Sequence, residues 1–307
     1  MVNTVSVPST LYPFQGHYLT ISGQPMHYLD EGQGEVVLAL HGNPTWSFYY
    51  RDLVQSLKDS YRVIVPDHIG CGLSAKPSDE DYTYRLEQRV TDIEELVRRL
   101  GLKDITLVLH DWGGMIGLAF ACRNPGLVRR LVLMNTAGFA LPQSKSFPLA
   151  LAISRSDSLG AVMVRGFNAF ALAASYICCQ RQPLSSTLRQ AYRAPYSNWQ
   201  SRRAVHRFVQ DIPLSAKDPS WPLVQFVSDN LESLLGSKPI QIIWGERDFV
   251  FDRHFLAEWR RRLPQAEIHS YADAGHYILE DLGREARDLI RSFLQRHPLA
   301  GDERTVH

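Results

Sequence analysis

The 307-residue chain holds only four cysteines, Cys71, Cys122, Cys178 and Cys179. Four are too few for a disulfide framework, and the adjacent pair at 178–179 lacks metal-ligand spacing. Buried, reduced thiols in a cytoplasmic protein are the expectation. Charge of one sign is also missing: 33 Lys and Arg stand against 32 Asp and Glu, a net of +1. Such a balance gives a nucleic acid or other polyanion no general electrostatic hold. The longest apolar stretch, residues 166–179, contains Asn168 and is too short to span a bilayer. The first sixteen residues show neither the basic nor the apolar segment of a secretion signal, which again fits a cytoplasmic location. With 45% hydrophobic and 21% charged residues, disorder and collagen-like repeats are excluded and a large core can form.

What is there is a rhythm. A strand at 26–31 precedes short apolar runs at 36–40, 61–65, 105–109, 131–134 and 240–244, with a further strand at 267–271. Runs of this length, rich in Val, Ile and Leu, suit strands buried on both faces of a parallel sheet. Between them lie helical patterns; at 91–100, Ile93, Leu96, Val97 and Leu100 share one face and charges take the other. The alternation predicts an α/β fold with a doubly wound, mostly parallel sheet and right-handed crossovers. It breaks after Asn135: residues 141–226 read as helices separated by Pro183, Pro195, Pro213 and Pro222. It resumes at Pro239, and the last helix covers about 284–295, followed beyond Pro298 by a polar tail expected to fray. The implied organisation is a core of residues 1–140 and 227–307 with an inserted helical cap at 141–226. Such a cap would sit over the carboxyl edge of the sheet, where open α/β sheets bind ligands.

The run 105–109 leads into His110-Asp111-Trp112-Gly113-Gly114 and then an apolar helix at 115–122. Strand, sharp turn and helix make a nucleophile elbow, which lifts one side chain above the sheet and aims backbone N–H groups at it. The apex residue is Asp111, where an esterase would carry Ser; Leu109 is bulkier than the residue common two places before the apex. A carboxylate attacks esters poorly but can displace a leaving group from an sp3 carbon, forming an alkyl-enzyme ester.

Two partners follow in the chain order of a hydrolase triad. Asp248 lies just past the strand at 240–244, and His276 follows the strand at 267–271. His276 would be the base, with Asp248 holding its tautomer and stabilising the imidazolium; Asp252 is a rival for the acid. His41 and His110 flank the site as structural supports, while the remaining histidines have no such context. Asn43, on the loop that usually supplies half of an oxyanion hole, and Trp112 bring neutral amide and indole donors for a leaving anion. No metal-ligand or cofactor motif accompanies these residues, so neither is expected.

At these residues the chain resembles the haloalkane dehalogenase family of α/β-hydrolases. The resemblance is carried by HGNPTWS at 41–47, PDHIGCGLS at 66–74, HDWGG at 110–114 and DAGHY at 273–277, and it spans about residues 11–299. It implies Asp111 as nucleophile, His276 as base, Asp248 as acid, and Asn43 with Trp112 as the halide-stabilising pair. One subfamily carries its acid after the preceding strand; Asn135-Thr136 stands there in this chain, which favours the branch with the later acid.

NTAGF at 135–139, FNAF at 167–170, APYSNW at 194–199 and QDIPLS at 210–215 are similar to that branch's β-lactone decarboxylases of bacterial long-chain olefin biosynthesis. These motifs reach into the cap. The resemblance implies conversion of cis-3-alkyl-4-alkyloxetan-2-ones to cis-alkenes and CO2, with carbon–halogen hydrolysis as the alternative. Asp111 would attack either C4 of the lactone or its carbonyl. Epoxide hydrolysis would need cap tyrosines, for which Tyr176, Tyr192 and Tyr196 are available. Haloacid hydrolysis would prefer a cation where Trp112 sits, and intact Asp111, Asp248 and His276 argue against a scaffold role. Apolar stretches at 147–153 and 167–177 suit a lipid-like substrate or the packing of cap helices. Between Leu151 and Gln210, eight arginines face the single acid Asp157. This basic cap is either a solvated face or a dock for an acidic partner, and the resemblance suggests a pathway enzyme such as a β-lactone synthetase.

Overall fold

The computed structural model describes residues 7–299; the first six residues of the stretch read for a secretion signal, and the tail beyond Leu299, lie outside them. Eight strands form one sheet: β1 (His17–Ile21), β2 (Gln24–Glu31), β3 (Glu35–Leu40), β4 (Tyr61–Pro66), β5 (Ile105–His110), β6 (Val128–Met134), β7 (Ile240–Gly245) and β8 (Glu267–Tyr271). Their spatial order is β1-β2-β4-β3-β5-β6-β7-β8. The β1–β2 and β2–β4 pairs are antiparallel, and every later pair is parallel. Side chains alternate between two cores: Leu38, Leu40, Leu107 and Leu109 enter one, and Val37, Ala39 and Val108 the other. Both faces are therefore dry, which is why the central strands read as unbroken apolar runs.

Two strand boundaries escape the apolar-run reading. β1 has no such run; it is half-buried, and Ser22 and Gly23, both at positive φ, turn it into β2. β6 begins at Val128 rather than Leu131 because Arg130 is a buried strand residue, donating to Thr106 Oγ1 at 2.8 Å and to Glu35 at 2.5 Å.

On the sheet's flanks lie α1 (Arg51–Leu57), α2 (Leu86–Leu100) and α3 (Trp112–Arg123). α2 starts five residues before the periodic segment because Asp211, distant in sequence, accepts from Leu86 N at 2.7 Å and caps the helix from outside. The inserted segment holds α4 (Leu149–Ser154), α5 (Leu159–Ala161) running into a π-turn at Val162–Gly166, α6 (Ala169–Ile177), α7 (Ser186–Arg193) and α8 (Arg203–Gln210). The chain returns through α9 (Trp221–Leu235), α10 (Arg253–Arg262), α11 (Ile278–Leu282) and α12 (Arg284–Arg296). Pro222 does not separate helices. It sits in the first turn of α9, where its missing N–H costs nothing, so residue 226 falls inside a helix that packs on α3.

Candidate active site

The elbow forms where β5 runs into α3. Asp111 has φ 51° and ψ −129°, a backbone region L-residues rarely occupy. It is held there: Asp111 N donates to Asn135 O at 3.2 Å, and Thr136 Oγ1 donates to Asp111 O at 2.6 Å. The turn also needs close backbone approach. A Cβ on Gly113 would lie 2.0 Å from Leu40 O, and one on Gly114 would lie 1.7 Å from Thr136 Oγ1. The bulk of Leu109 is accommodated one helical turn later, since a Cβ at Gly117 would meet its side chain at 2.3 Å.

The structure brings Asp111, His276 and Asp248 together. His276 Nε2 is 3.6 Å from Asp111 Oδ2, and His276 Nδ1 is 2.6 Å from Asp248 Oδ2. His110 Nε2 contacts His276 O at 2.8 Å, and Phe251 stacks on the imidazole with centroids 5.9 Å apart. Burial opposes a charge on His276, but Asp248, its hydrogen bond and Asp111 outweigh this and hold the imidazole pKa above its ordinary value. Burial raises the Asp111 pKa, against the opposing pull of His276 and the N–H groups of Asn43 and Trp112. Asp252 is engaged elsewhere: it caps α10 through His254 N at 3.0 Å and pairs with Lys145 at 2.6 Å.

Asn43 and Trp112 both line the cavity above Asp111. Asn43 N donates to Asp111 Oδ1 at 2.6 Å. Its side-chain amide donates to Val205 O at 3.1 Å in α8, and Asn43 Oδ1 is buried without a partner. An acceptor left open at the site is ready for a donor on whatever enters. Trp112 packs its ring against Phe208, centroids 5.3 Å apart.

Asn135 is a site residue that the motif reading treated only as a missing acid. Its Nδ2 donates to Asp248 Oδ2 and Gly245 O, both at 2.9 Å, and its Oδ1 accepts from Gly245 N. The amide thus aligns the acid from the position where another subfamily would place it. An Asn at a strand end was the available signal, but its partner is 113 residues away. Lys145 was also missed; it lines the cavity and is neutralised by Asp252.

The cavity has a volume of about 400 Å³, within the usual range for ligand sites. Its cap wall is mostly apolar, including Phe147, Leu151, Ile153, Phe170 and Ile177 from the two stretches noted above, with Lys145 and Ser154 as polar members. Both stretches divide, some side chains facing inward and others outward. The three cap tyrosines do not line it. Tyr196 donates to Thr45 O at 3.1 Å, Tyr192 to Glu280 at 2.5 Å, and Tyr176 is exposed, so the epoxide scheme has no leaving-oxygen acid here.

A nucleophile elbow on a mostly parallel sheet, with an acid and a His past the ends of the last two strands, defines the α/β hydrolase class. The α/β hydrolase fold family matches residues 35–281, and the chain belongs to it. Within that class it is similar to the cis-3-alkyl-4-alkyloxetan-2-one decarboxylase of Shewanella oneidensis, 52% identical over 93% of this chain and 90% of the relative. Haloalkane dehalogenase 2 of Mycobacterium tuberculosis is 33% identical over 92% of this chain and 96% of the relative. A crystal structure of a single-substitution variant of the Agrobacterium tumefaciens haloalkane dehalogenase superimposes with a TM-score of 0.82 at 25% identity, covering 92% and 97% of the two chains.

Proposed function

We propose that this chain is a carboxy-lyase that converts cis-3-alkyl-4-alkyloxetan-2-ones to cis-alkenes and CO2. The observation that carries the reading is that Asp111 is the only carboxylate, among the described residues, lining an otherwise largely apolar cavity beneath a cap wall suited to alkyl arms. The 52% identity to a decarboxylase of that substrate supports it.

In this mechanism an Asp111 oxygen attacks C4 of the lactone with inversion, and the C4–O bond breaks to release the ring carboxylate. The C3–carboxylate bond then cleaves. Its electron pair forms the C3–C4 double bond, and the ester oxygen leaves C4 to regenerate the Asp111 carboxylate. Anti departure after one inversion gives a cis-alkene from a cis-lactone. Trp112 and the free N–H of the Asn43 amide hold the lactone oxygens as charge develops. His276, whose cationic form Asp248 favours, orients Asp111 and balances its charge without activating water. The test is isotopic: in H2(18)O, Asp111 acquires no label during steady decarboxylation. Label entering Asp111 would mean that an ester is hydrolysed and would overturn the water-free route.

The triad geometry also favours a second reading. His276 3.6 Å from Asp111 and 2.6 Å from Asp248 is positioned to activate water on an alkyl-enzyme ester, as carbon–halogen hydrolysis requires. Product analysis separates the two: alkene and CO2 from a cis-β-lactone, against halide from 1,2-dibromoethane. All four cysteines are free and buried, which supports a reducing cytoplasmic setting. A lactone-forming enzyme of the same pathway could deliver substrate at the arginine-rich cap. Four of the eight arginines there, Arg155, Arg181, Arg203 and Arg207, are already paired with carboxylates of this chain.

A further inference from the structure

Among the described residues, nine of the thirteen large hydrophobic side chains left exposed fall within residues 149–177 of the cap. Leu149 is 76% exposed, Phe167 71% and Leu159 53%, and Val162 and Leu172 stand out beside them. α5 with its π-turn meets α6 at 65°, and Phe167 lies at the bend. Ile153, Met163 and Ile177 are both exposed and part of the cavity wall, so the cavity opens in the middle of this patch. Soluble monomers rarely leave so concentrated an apolar area uncovered.

The edge of the patch has a different chemistry. Exposed Trp199 and Tyr176 flank it, with Arg165 4.4 Å over the Trp199 ring and Arg189 4.6 Å over that of Tyr176. Arg165, Arg189 and Arg193 form no ion pair with a carboxylate among the described residues, unlike Arg155, Arg181, Arg203 and Arg207. The single acid of the segment, Asp157, is occupied by Gln210. An aliphatic centre, an aromatic rim and an unpaired basic fringe form the layered pattern of an interfacial membrane surface. Among the described residues no single helix is long and apolar enough to cross a bilayer; only the bent pair Leu159–Gly166 and Ala169–Ile177 together reaches that length and composition.

We propose that the cap seats on an anionic lipid surface with the cavity mouth turned into it. The consequence for catalysis, which rests on the long-chain lactone reading, is that substrate enters and alkene leaves through the lipid without crossing water. An acidic protein seated on the same face would close the mouth. A second copy would set one arginine fringe against the other, at an electrostatic cost.

The experiment uses the full chain and vesicles of phosphatidylcholine alone or mixed with phosphatidylglycerol, read by co-sedimentation. Binding is expected on the mixed vesicles and to fall roughly tenfold without phosphatidylglycerol or at high salt. Leu149→Asp with Phe167→Asp, neither of which lines the cavity, should reduce vesicle binding by roughly a hundredfold. Turnover of a short-armed, water-soluble lactone without vesicles should stay at the parent level, which shows that the variant is folded. No sedimentation of the parent, or sedimentation unchanged in the double variant, overturns the proposal. A dimer, or a salt-sensitive complex with a purified lactone-forming enzyme, that the double variant abolishes while vesicles fail to bind the parent would also overturn it. Vesicle binding without lactone turnover would instead sink the decarboxylase reading and leave the lipid surface standing.

Discussion

The floor of the cavity and its roof are built by opposite rules. On the floor, Asp111, His276, Asp248 and Asn135 are all buried and tied by hydrogen bonds to strand ends, and Asp111 is held at a strained φ. On the roof, short helices present aliphatic side chains inward and outward alike, few polar side chains join the lining, and the Val205 backbone oxygen accepts from the Asn43 amide. The floor carries charge that burial makes costly, so it requires fixed partners. The roof faces the cavity mainly through non-directional apolar contacts, so much of it can be reshaped without disturbing the chemistry. Bond-making and substrate choice are therefore separable in this molecule.

The most direct way to break that comparison is Asp111→Asn, which should lower turnover of lactone and dihalide by roughly a thousandfold or more. Its melting temperature, read by calorimetry, should equal or exceed the parent's. The raised Asp111 pKa means that folding favours the protonated acid, so the stability linked to this group is present below the ordinary carboxylate pKa and lost as pH rises through the folded value. The amide removes that loss. Unchanged turnover would refute the assignment of the nucleophile.

The pH profile of kcat/KM sharpens the role of His276. Activity should fall by about tenfold per unit as pH drops below the raised pKa of Asp111. If His276 acts as a cation, activity falls again as pH rises through its own raised pKa, and the stability of its ion pair is lost over the same window. A water-activating base predicts the reverse at that limb, with activity rising. A bell-shaped profile supports decarboxylation without water.

Asn135→Ala tests the scaffold of the floor. It strips Gly245 N of its acceptor and Asp248 of a donor, and should cost about 1–3 kcal/mol in urea unfolding. It should lower kcat more than it raises KM, because the acid loses its alignment rather than the cavity its shape. On the roof, each methylene removed from a substrate arm should weaken binding by about 0.8 kcal/mol, close to fourfold in KM, until the cavity no longer contacts the chain. A flat profile would refute the alkyl groove. The smallest effect should come from Arg207→Gln, which removes a surface pair with Asp79 and should change stability by about 0–1 kcal/mol.

Much of the floor was legible in the chain because elbows and strand ends place chemistry at short sequence range. The strand before Asp111, the glycines after it and the runs before Asp248 and His276 are local signals. The partners that complete the floor were not legible. Asn135 acts on Asp248 across 113 positions, and Asp211 caps a helix 125 positions earlier. Charged Arg130 hid three residues of β6, since only the fold supplies Thr106 and Glu35 to satisfy it. In the cap, composition revealed apolar stretches and arginines but not their direction. It could not say that Leu149 faces out while Leu151 faces the cavity, nor that half the arginines are already neutralised.

The order of the strands after β1, the elbow at Asp111 and the placing of Asp248 and His276 past strand ends were determined by the sequence, because each depends on a hydrophobic period or on residues adjacent along the chain. That Asn135 braces Asp248, where the Asn43 amide points and where the cavity opens were decided by tertiary structure alone. These depend on loops from separate strand ends and on helices converging in space, and contact between distant segments leaves no periodic trace along a single chain.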